Sequence, residues 1–199
     1  MMLTEVTAVP EGVLPVQAMK DHLRLGTGFA DDGLQDGLIA AHLRAAMAMI
    51  EARTGKALIT REFSLRLDRW RPAGSGQTLP VAPVASVSSV TLGDAVGGLV
   101  VLAPQRWRLV RDMARPRLEG IGGLPVIAEG GFVEIVFEAG FGPVWADIPG
   151  DLAQAVFLLA AEFYERRHAD DGRVLALPAV VQGLIERWRI VRLLGGAGI

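Results

Sequence analysis

A change of hydrophobic period within residues 132–167 constrains the fold of this chain more than any other feature. Alternating apolar residues first predict a β-strand, and the segment AGFGP then predicts a turn. A helix follows, opened by Pro149 and Asp151 and ending near Arg167. Its apolar stripe consists of Leu152, Val156, Leu159, Ala160 and Phe163. The chain must therefore combine strands with long amphipathic helices.

Two helices are predicted before the strands. Pro15 opens a short amphipathic helix over residues 16–25. A longer helix is predicted from Asp31 or Asp32, as its N-cap, to Thr54, before a glycine that stops it. The apolar residues of this second helix fall into two stripes rather than one. A helix that is apolar on two faces packs on two faces, so we expect it to be central to the core or shared with a neighbouring subunit.

The middle of the chain, residues 60–140, has the patterns of strands. In REFSLRLDRW, Phe63, Leu65 and Leu67 alternate with polar residues, which predicts a half-buried strand. Further strands are predicted over residues 87–92, 99–102, 106–111 and 132–138. The segment RPAGSGQT and the Gly/Pro-rich residues 116–131 are expected to form turns and loops. Short strands at this spacing indicate an antiparallel, β-rich region between helical segments.

A last helix is predicted from Pro178 through AVVQGLIERWRIVRLL. It combines Trp188 with Arg187, Arg189 and Arg192, and tryptophan and arginine are common anchors of protein interfaces. We therefore favour a docking segment here. Packing of Trp188 onto the chain's own core is the alternative, and the sequence leaves it open.

Together these patterns predict an α+β fold. A helical core of about four helices should carry an antiparallel β-rich insertion between the second and third main helices. The expected division is a first part of the helical core at 1–59, the insertion at 60–140, a core helix and loop at 141–177, and a docking helix and tail at 178–199. With 51% apolar residues, the 199-residue chain can bury a sizeable core.

Composition excludes several classes of function. The chain has no cysteine, which excludes disulfides and thiolate metal sites. Its formal charge of -2 gives no overall attraction for nucleic acid. The amino terminus lacks the pattern of a signal peptide, and the longest apolar run, Ala155 to Ala161, is far shorter than the about 20 residues that span a bilayer. We expect no membrane association, and a protein that is cytoplasmic or is assembled in the cytoplasm.

No motif predicts catalysis or a bound cofactor. Thr54-Gly55-Lys56 lacks the other residues of a phosphate-binding loop. Of the histidines, His22, His42 and His168, only His168 has nearby carboxylates, those of Asp170 and Asp171, and a solvated loop is favoured there over a cation site. We therefore predict no catalytic residue, no metal and no cofactor, and a protein that is not an enzyme.

The order of these segments resembles the head-tail connector (adaptor) proteins of long-tailed phages and phage-derived gene transfer agents. The resemblance extends over almost the whole chain. The segments that carry it are residues 16–25 ending in KDHLRL, IEARTGKAL at 50–58, LPVAPV at 79–84 followed by Val87 and Val90, FEAGFG at 137–142, and Ile148-Pro149 leading to Ala155, Tyr164, Glu165, Arg166 and Arg167.

The resemblance implies a structural protein of the particle neck that is assembled in the host cytoplasm. Such proteins form a ring, commonly of twelve subunits, beneath the portal protein, and bind a stopper or another neck or tail protein on the other side. DNA passes through the channel, which should not bind it specifically. Another ring-forming component, such as a tail terminator, is an alternative, as is a small metal- or ligand-binding domain around His168.

The resemblance and the geometry of a closed ring together predict two sets of contact residues. The carboxy-terminal segment is placed against the portal, with docking residues Arg187, Trp188, Arg189, Ile190, Arg192, Leu193 and Leu194. A closed ring needs two different contact surfaces on each subunit, and the two-faced helix would supply one of them. Its predicted interface residues are Leu38, His42, Met49 and Arg53.

Overall fold

Helices near both ends of the chain pack together, and the strands between them form two sheets. The computed structural model describes residues 1–25, 33, 35–73, 76–166 and 177–189. Its four α-helices are α1 (Val16–His22), α2 (Asp36–Thr54), α3 (Gly150–Glu165) and α4 (Ala179–Ile185). Two antiparallel sheets lie between α2 and α3 in the chain, apart from one strand at the amino terminus. The predicted α+β class, with its insertion between the second and third main helices, is confirmed.

The observed ends of α2 agree with the sequence only at the carboxy terminus. Gly55 follows the helix with a left-handed φ of 67°, and its N–H donates to the carbonyl of Glu51. The predicted start at Asp31 or Asp32 is too early, because the helix begins at Asp36. Gly33, at a φ of 69°, cannot continue an α-helix. Asp31 and Asp32 themselves lie outside the described residues.

The last helix is shorter than predicted. The α-helical geometry of α4 ends at Ile185, a single 3-10 turn covers Glu186–Trp188, and Arg189 is extended. The prediction of one continuous helix from residue 178 through residue 194 is therefore wrong at this point. Trp188 and Arg189 therefore lie outside α4.

The strands form a five-stranded and a four-stranded sheet. They are β1 (Met2–Glu5), β2 (Arg61–Leu67), β3 (Pro72–Ala73), β4 (Gly76–Thr78), β5 (Val84–Gly93), β6 (Leu99–Val101), β7 (Trp107–Val110), β8 (Arg117–Gly120) and β9 (Phe132–Ala139). The first sheet has the order β1-β2-β9-β5-β6, and the second has the order β3-β4-β8-β7. All these pairs are antiparallel. Three strands, β3, β4 and β8, lie where the sequence predicted only turns and loops, and β1 lies where it predicted no element.

Two hydrophobic clusters stabilise the fold. The helical cluster draws on residues 9–59 and 148–185, and the sheet cluster on residues 57–139. In the sheet cluster Phe137 is fully buried and stacks on Phe63 across β9 and β2, with ring centroids 5.7 Å apart. Burial of each large apolar side chain contributes roughly 1.5–3 kcal/mol. The two clusters meet between α2 and β2, since Ala57 belongs to the sheet cluster and Leu58 to the helical cluster.

The turn between β9 and α3 requires a glycine. Gly140 has a φ of 146°, and a side chain there would approach the backbone nitrogen of Thr60 to 2.3 Å. Its N–H donates to the carbonyl of Pro83, so the turn is held against the segment before β5. This close approach brings the start of α3 next to the end of α2, and so positions the surfaces described below.

Candidate assembly surfaces

Asp151, in the first turn of α3, anchors the carboxy-terminal segment. Its Oδ2 accepts a hydrogen bond from Trp188 Nε1 at 2.7 Å. The same oxygen forms an ion pair with Arg187 Nε, also at 2.7 Å. A carboxylate in this position is also favoured by the dipole of the helix. The first turn of α3 therefore holds Arg187 and Trp188, which belong to the predicted portal-docking segment.

The Trp188 side chain packs on the chain itself. It is half-buried and meets the ring of Phe141 edge-on, with ring centroids 5.4 Å apart. The guanidinium of Arg187 lies over the Trp188 ring, 4.7 Å from the centroid of that ring. The structure thus agrees with the alternative that the sequence left open, in which Trp188 contacts its own core. Docking of this segment on the portal remains a prediction.

The other predicted docking residues divide into two groups. Arg187 and Arg189 are exposed. Among the described residues, Arg189 forms an ion pair only with Glu186, at 3.1 Å. The rest of the predicted set, Ile190, Arg192, Leu193 and Leu194, lies outside the described residues. The described part of the segment therefore offers two exposed guanidinium groups next to a fixed tryptophan.

One side of α2 is exposed although it is apolar. We call it the α2 face, and it consists of Leu38, Ala41, Ala45, Ala48 and Ala52. These residues are spaced alternately by three and four, so they form one continuous stripe along the helix. The opposite stripe, which contains Ile39, Leu43, Ala46 and Ile50, is buried in the helical cluster. Both stripes that the sequence indicated are therefore real, but only one is covered within the protomer.

The four predicted interface residues on α2 differ in their exposure. Leu38 and Arg53 are exposed. Met49 is half-buried and packs against the helical cluster. His42 is also half-buried, and its ring meets that of Tyr164 edge-on with centroids 6.1 Å apart. Leu38 and Arg53 are therefore available to a neighbour, whereas His42 and Met49 are largely engaged inside the protomer. The alanines of the α2 face belong to the first apolar stripe that the sequence indicated, but they were not among the predicted interface residues.

A charged cluster joins α2 to the first sheet. Arg61, on β2, is buried, and its two terminal nitrogens donate to Glu51 of α2 at 2.9 and 2.7 Å. Its Nε pairs with Glu5 of β1 at 3.0 Å, and Glu51 also accepts the N–H of Leu58. Burial by itself lowers the pKa of Arg61, but the hydrogen bonds and charges of Glu51 and Glu5 outweigh it and raise the pKa. Arg61 is therefore a fixed cation that ties three elements together.

Lys56 makes a second connection, from the end of α2 to the loop between β7 and β8. Its ammonium group donates to the carbonyl of Met113. Burial lowers the pKa of Lys56, and the charge of Asp112 opposes this effect. The pKa of Asp112 is itself lowered, because the backbone N–H groups of Arg115 and Ala114 donate to its carboxylate. A structural contact accounts for this buried lysine.

The described residues contain no arrangement typical of a metal site. Within them, no three histidine or acidic side chains lie close enough together to hold an ion. His168, Asp170 and Asp171, the only candidate ligands, lie outside these residues. Among the helices described, none is long and apolar enough to cross a membrane.

The sequence did not predict the partners of these surfaces. Asp151 was recognised as a helix-opening residue, but its partners lie 36 and 37 positions further along the chain. Glu51 falls in the predicted second helix and Arg61 in the predicted strand that follows it, and only the folded structure brings their side chains together. No local pattern marks such pairs, since each depends on the turn at Gly55 or Gly140.

Chains in gene transfer agent (GTA) particles are similar to this protein over their whole length. A chain in the neck of an empty GTA particle, computed with C6 symmetry, is 59% identical, with a TM-score of 0.89 and 100% of both chains covered. A chain in the virion of a native GTA particle is 57% identical, with a TM-score of 0.85 and 98% of this chain and 99% of that chain covered. A chain in the neck of a native GTA particle, computed with C12 symmetry, is 53% identical, with a TM-score of 0.83 and 100% of both covered. No protein-family model matches the chain, and no curated protein does.

Proposed function

The chain belongs to the head-tail connector (adaptor) family of gene transfer agent particles, and from this premise we propose how it joins the head to the tail. The single observation that carries its role is the full-length similarity to chains of particle necks. It is a structural protein of the neck, and we infer that it has no enzymatic activity. Membership of this family favours a connector over a tail terminator.

The proposed assembly is a ring of twelve copies. The similar chains come from necks computed with C6 and with C12 symmetry, and a twelve-fold axis contains a six-fold one, so a dodecamer is compatible with both. Neighbours in such a ring are related by rotation and use heterologous contacts. Each subunit therefore presents one surface to the next copy and a different surface to the previous one.

The α2 face supports one of these contacts. Its residues are exposed and apolar, and four of the five are alanines, which allow the backbone of a neighbour to approach closely. Leu38 gives the stripe a larger apolar anchor at one end, and Arg53 adds an exposed charge in the last turn of the same helix. Contact with a neighbouring subunit would remove this apolar surface from water, at roughly 25 cal/mol for each Å².

The carboxy-terminal segment is the proposed portal contact. Arg187 and Arg189 are exposed, and Asp151 fixes the position from which the chain continues towards Ile190. Arginine is suited to interface contacts, because its planar group can donate several hydrogen bonds at once. Twelve such segments in one ring would add their affinities, so each can bind weakly by itself.

The remaining partners follow from the position in the neck. We infer that the opposite side of the ring binds a stopper or another neck or tail protein, and that DNA passes through the channel without specific binding. A formal charge of -2 supports this, because a channel for moving DNA should not hold phosphates. Assembly in the host cytoplasm is part of the same proposal.

Truncation after Arg189 tests the portal contact. The truncated chain keeps Val181 and Ile185, which are buried in the helical cluster, so it should fold. We expect DNA-filled heads without tails in electron micrographs of particles from cells that express only this variant. Tails attached at the normal frequency would refute the portal contact. The connector role is tested separately with the full-length chain carrying a label, and a label found away from the neck would refute it.

A further inference from the structure

The five-stranded sheet ends in two uncovered edges of unusual composition. In the described part of the chain, β1 and β6 each have a hydrogen-bonded neighbour strand on one side only. All three residues of β6, Leu99, Val100 and Val101, are more than 60% exposed. On β1, Met2 is 59% exposed and Leu3 is 38% exposed. Exposed edges pair readily with other strands, and charges or prolines normally prevent this; β6 is short but contains neither a charge nor a proline. An apolar edge such as β6 is therefore expected to be covered in the assembled particle.

The directions of the two edge strands fit a ring. Each neighbouring pair in the order β1-β2-β9-β5-β6 is antiparallel, so β1 and β6, four steps apart, run in the same direction. Between copies related by a small rotation, β6 of one subunit can meet β1 of the next as a parallel pair. Pairing of β6 with β6 would instead be isologous and would end at a dimer.

The β1 edge is continuous with the α2 face. Leu3 of β1 lines the same cleft as Ala48 and Ala52, and this cleft has a volume of about 340 Å³. A neighbour that approaches β1 therefore also approaches the surface already assigned to a subunit contact. The opposite edge of the same sheet, formed by β6, supplies the second surface that a heterologous ring requires.

We propose that the sheets of adjacent subunits join edge to edge, with β6 of one copy pairing in parallel with β1 of the next. This inference rests on the proposed ring and identifies its second contact surface. Main-chain hydrogen bonds between the two strands would give affinity, and the exposed valines would be covered by the neighbour. The occupant of the β6 edge is thus a second copy of this chain.

Because the chain has no cysteine, introduced cysteines are its only thiols. Leu3 and Val100 lie near the centres of their strands, so L3C and V100C combined in one chain place thiols close together in any well-overlapped register. In particles carrying this variant, a short bismaleimide should produce a ladder of covalent multimers on denaturing gels. The single variants L3C and V100C should remain monomeric. Dimers from V100C alone, or no ladder from the double variant present in necks, would overturn the proposal.

A second variant keeps the test decisive if the cysteine chain fails to enter particles. Val100→Lys should reduce incorporation into necks at least tenfold without changing the melting temperature, since the side chain is exposed in the protomer. Val126→Lys is the matched control, because Val126 is 89% exposed and lies in the loop between β8 and β9, outside both edge strands, and it should incorporate normally. Equal incorporation of V100K and V126K would refute the edge contact. Location of the wild-type chain in the neck tests the connector role independently.

Discussion

Arg61 connects the helical and sheet clusters through one side chain. Its guanidinium pairs with Glu51 of α2 and with Glu5 of β1, and it lies 4.9 Å from the ring centroid of Phe63. Only 9% of the residue is exposed, so its charge depends on these partners rather than on water. Removal of one member of such a cluster leaves the other charges poorly compensated.

Replacement of Arg61 by methionine should destabilise the protomer. The carboxylate of Glu51 would be left largely buried without its cation, which costs about 3–5 kcal/mol in comparable pairs. Urea unfolding monitored by circular dichroism measures the loss. Arg166→Ala serves as the control, since Arg166 pairs with Glu162 on the exposed side of α3 and its loss should cost about 0.3–0.5 kcal/mol. Equal losses of unfolding free energy in the two variants would show that Arg61 does not connect the helical and sheet clusters as described.

Helix α2 is the element that carries both part of the core and the proposed subunit contact. One stripe is buried in the protomer, while the α2 face remains exposed, so the two can be altered independently. Ala45, near the middle of the face, is exposed and can be enlarged without disturbing the buried stripe.

Ala45→Arg should block assembly while leaving the fold intact. Arginine is a good helix former, so the melting temperature should change little, but its bulk and charge would prevent the close approach of a neighbour. Incorporation into particle necks, measured by immunoblotting of purified particles, should fall at least tenfold. Gln154→Arg introduces the same charge at an exposed position of α3 and should be tolerated. Normal incorporation of A45R would remove the α2 face from the subunit contact.

The start of α3 fixes the carboxy-terminal segment through Asp151. Replacement of Asp151 by alanine removes the acceptor for Trp188 and the partner of Arg187. Hydrogen bonds to charged groups contribute about 1.5–3 kcal/mol, and the exposed ion pair adds little. Detachment of the segment should increase, and tryptic cleavage after Arg187 and Arg189 should become roughly 10- to 100-fold faster.

The control for this prediction is Glu186→Ala. It removes the exposed pair with Arg189 but leaves the Asp151 contacts in place, so cleavage after Arg187 should stay near the wild-type rate. Mass spectrometry of the released peptides distinguishes the two sites. If D151A is cleaved no faster than E186A, the segment is held by its apolar contacts, such as Phe141 with Trp188, rather than by Asp151.

Comparison of elements shows what the sequence could and could not predict. Strands β2 and β9 were predicted because their own side chains alternate, and α2 and α3 because theirs repeat at helical spacing. Strand β8 was missed because it lies in a Gly/Pro-rich segment, and β1 because its four residues are exposed. These strands form through pairing with distant partners, which has no local signal. For the same reason the α2 stripe was visible in the sequence, but the contacts of Asp151 and Arg61 were not.

At the scale of the whole molecule, the distribution of charge bears on the proposed passage of DNA through the neck. The protein has 20 basic and 22 acidic side chains, and several arginines are already paired, including Arg61, Arg108 and Arg187. Binding to DNA backbone depends on basic groups that displace counterions. A chain whose cations are balanced and partly engaged should let DNA move past it.

The isolated protein should therefore not bind duplex DNA at micromolar concentration, even at low salt. Fluorescence anisotropy of a labelled duplex measures this, with titrations at several salt concentrations. A variant with lysine in place of Glu11, Glu129 and Glu165, which are exposed, changes the formal charge from -2 to +4 and is the positive control. We expect salt-sensitive binding by the variant only. Tight binding by the wild type that weakens steeply with salt would reveal a local basic surface and contradict passage without specific binding.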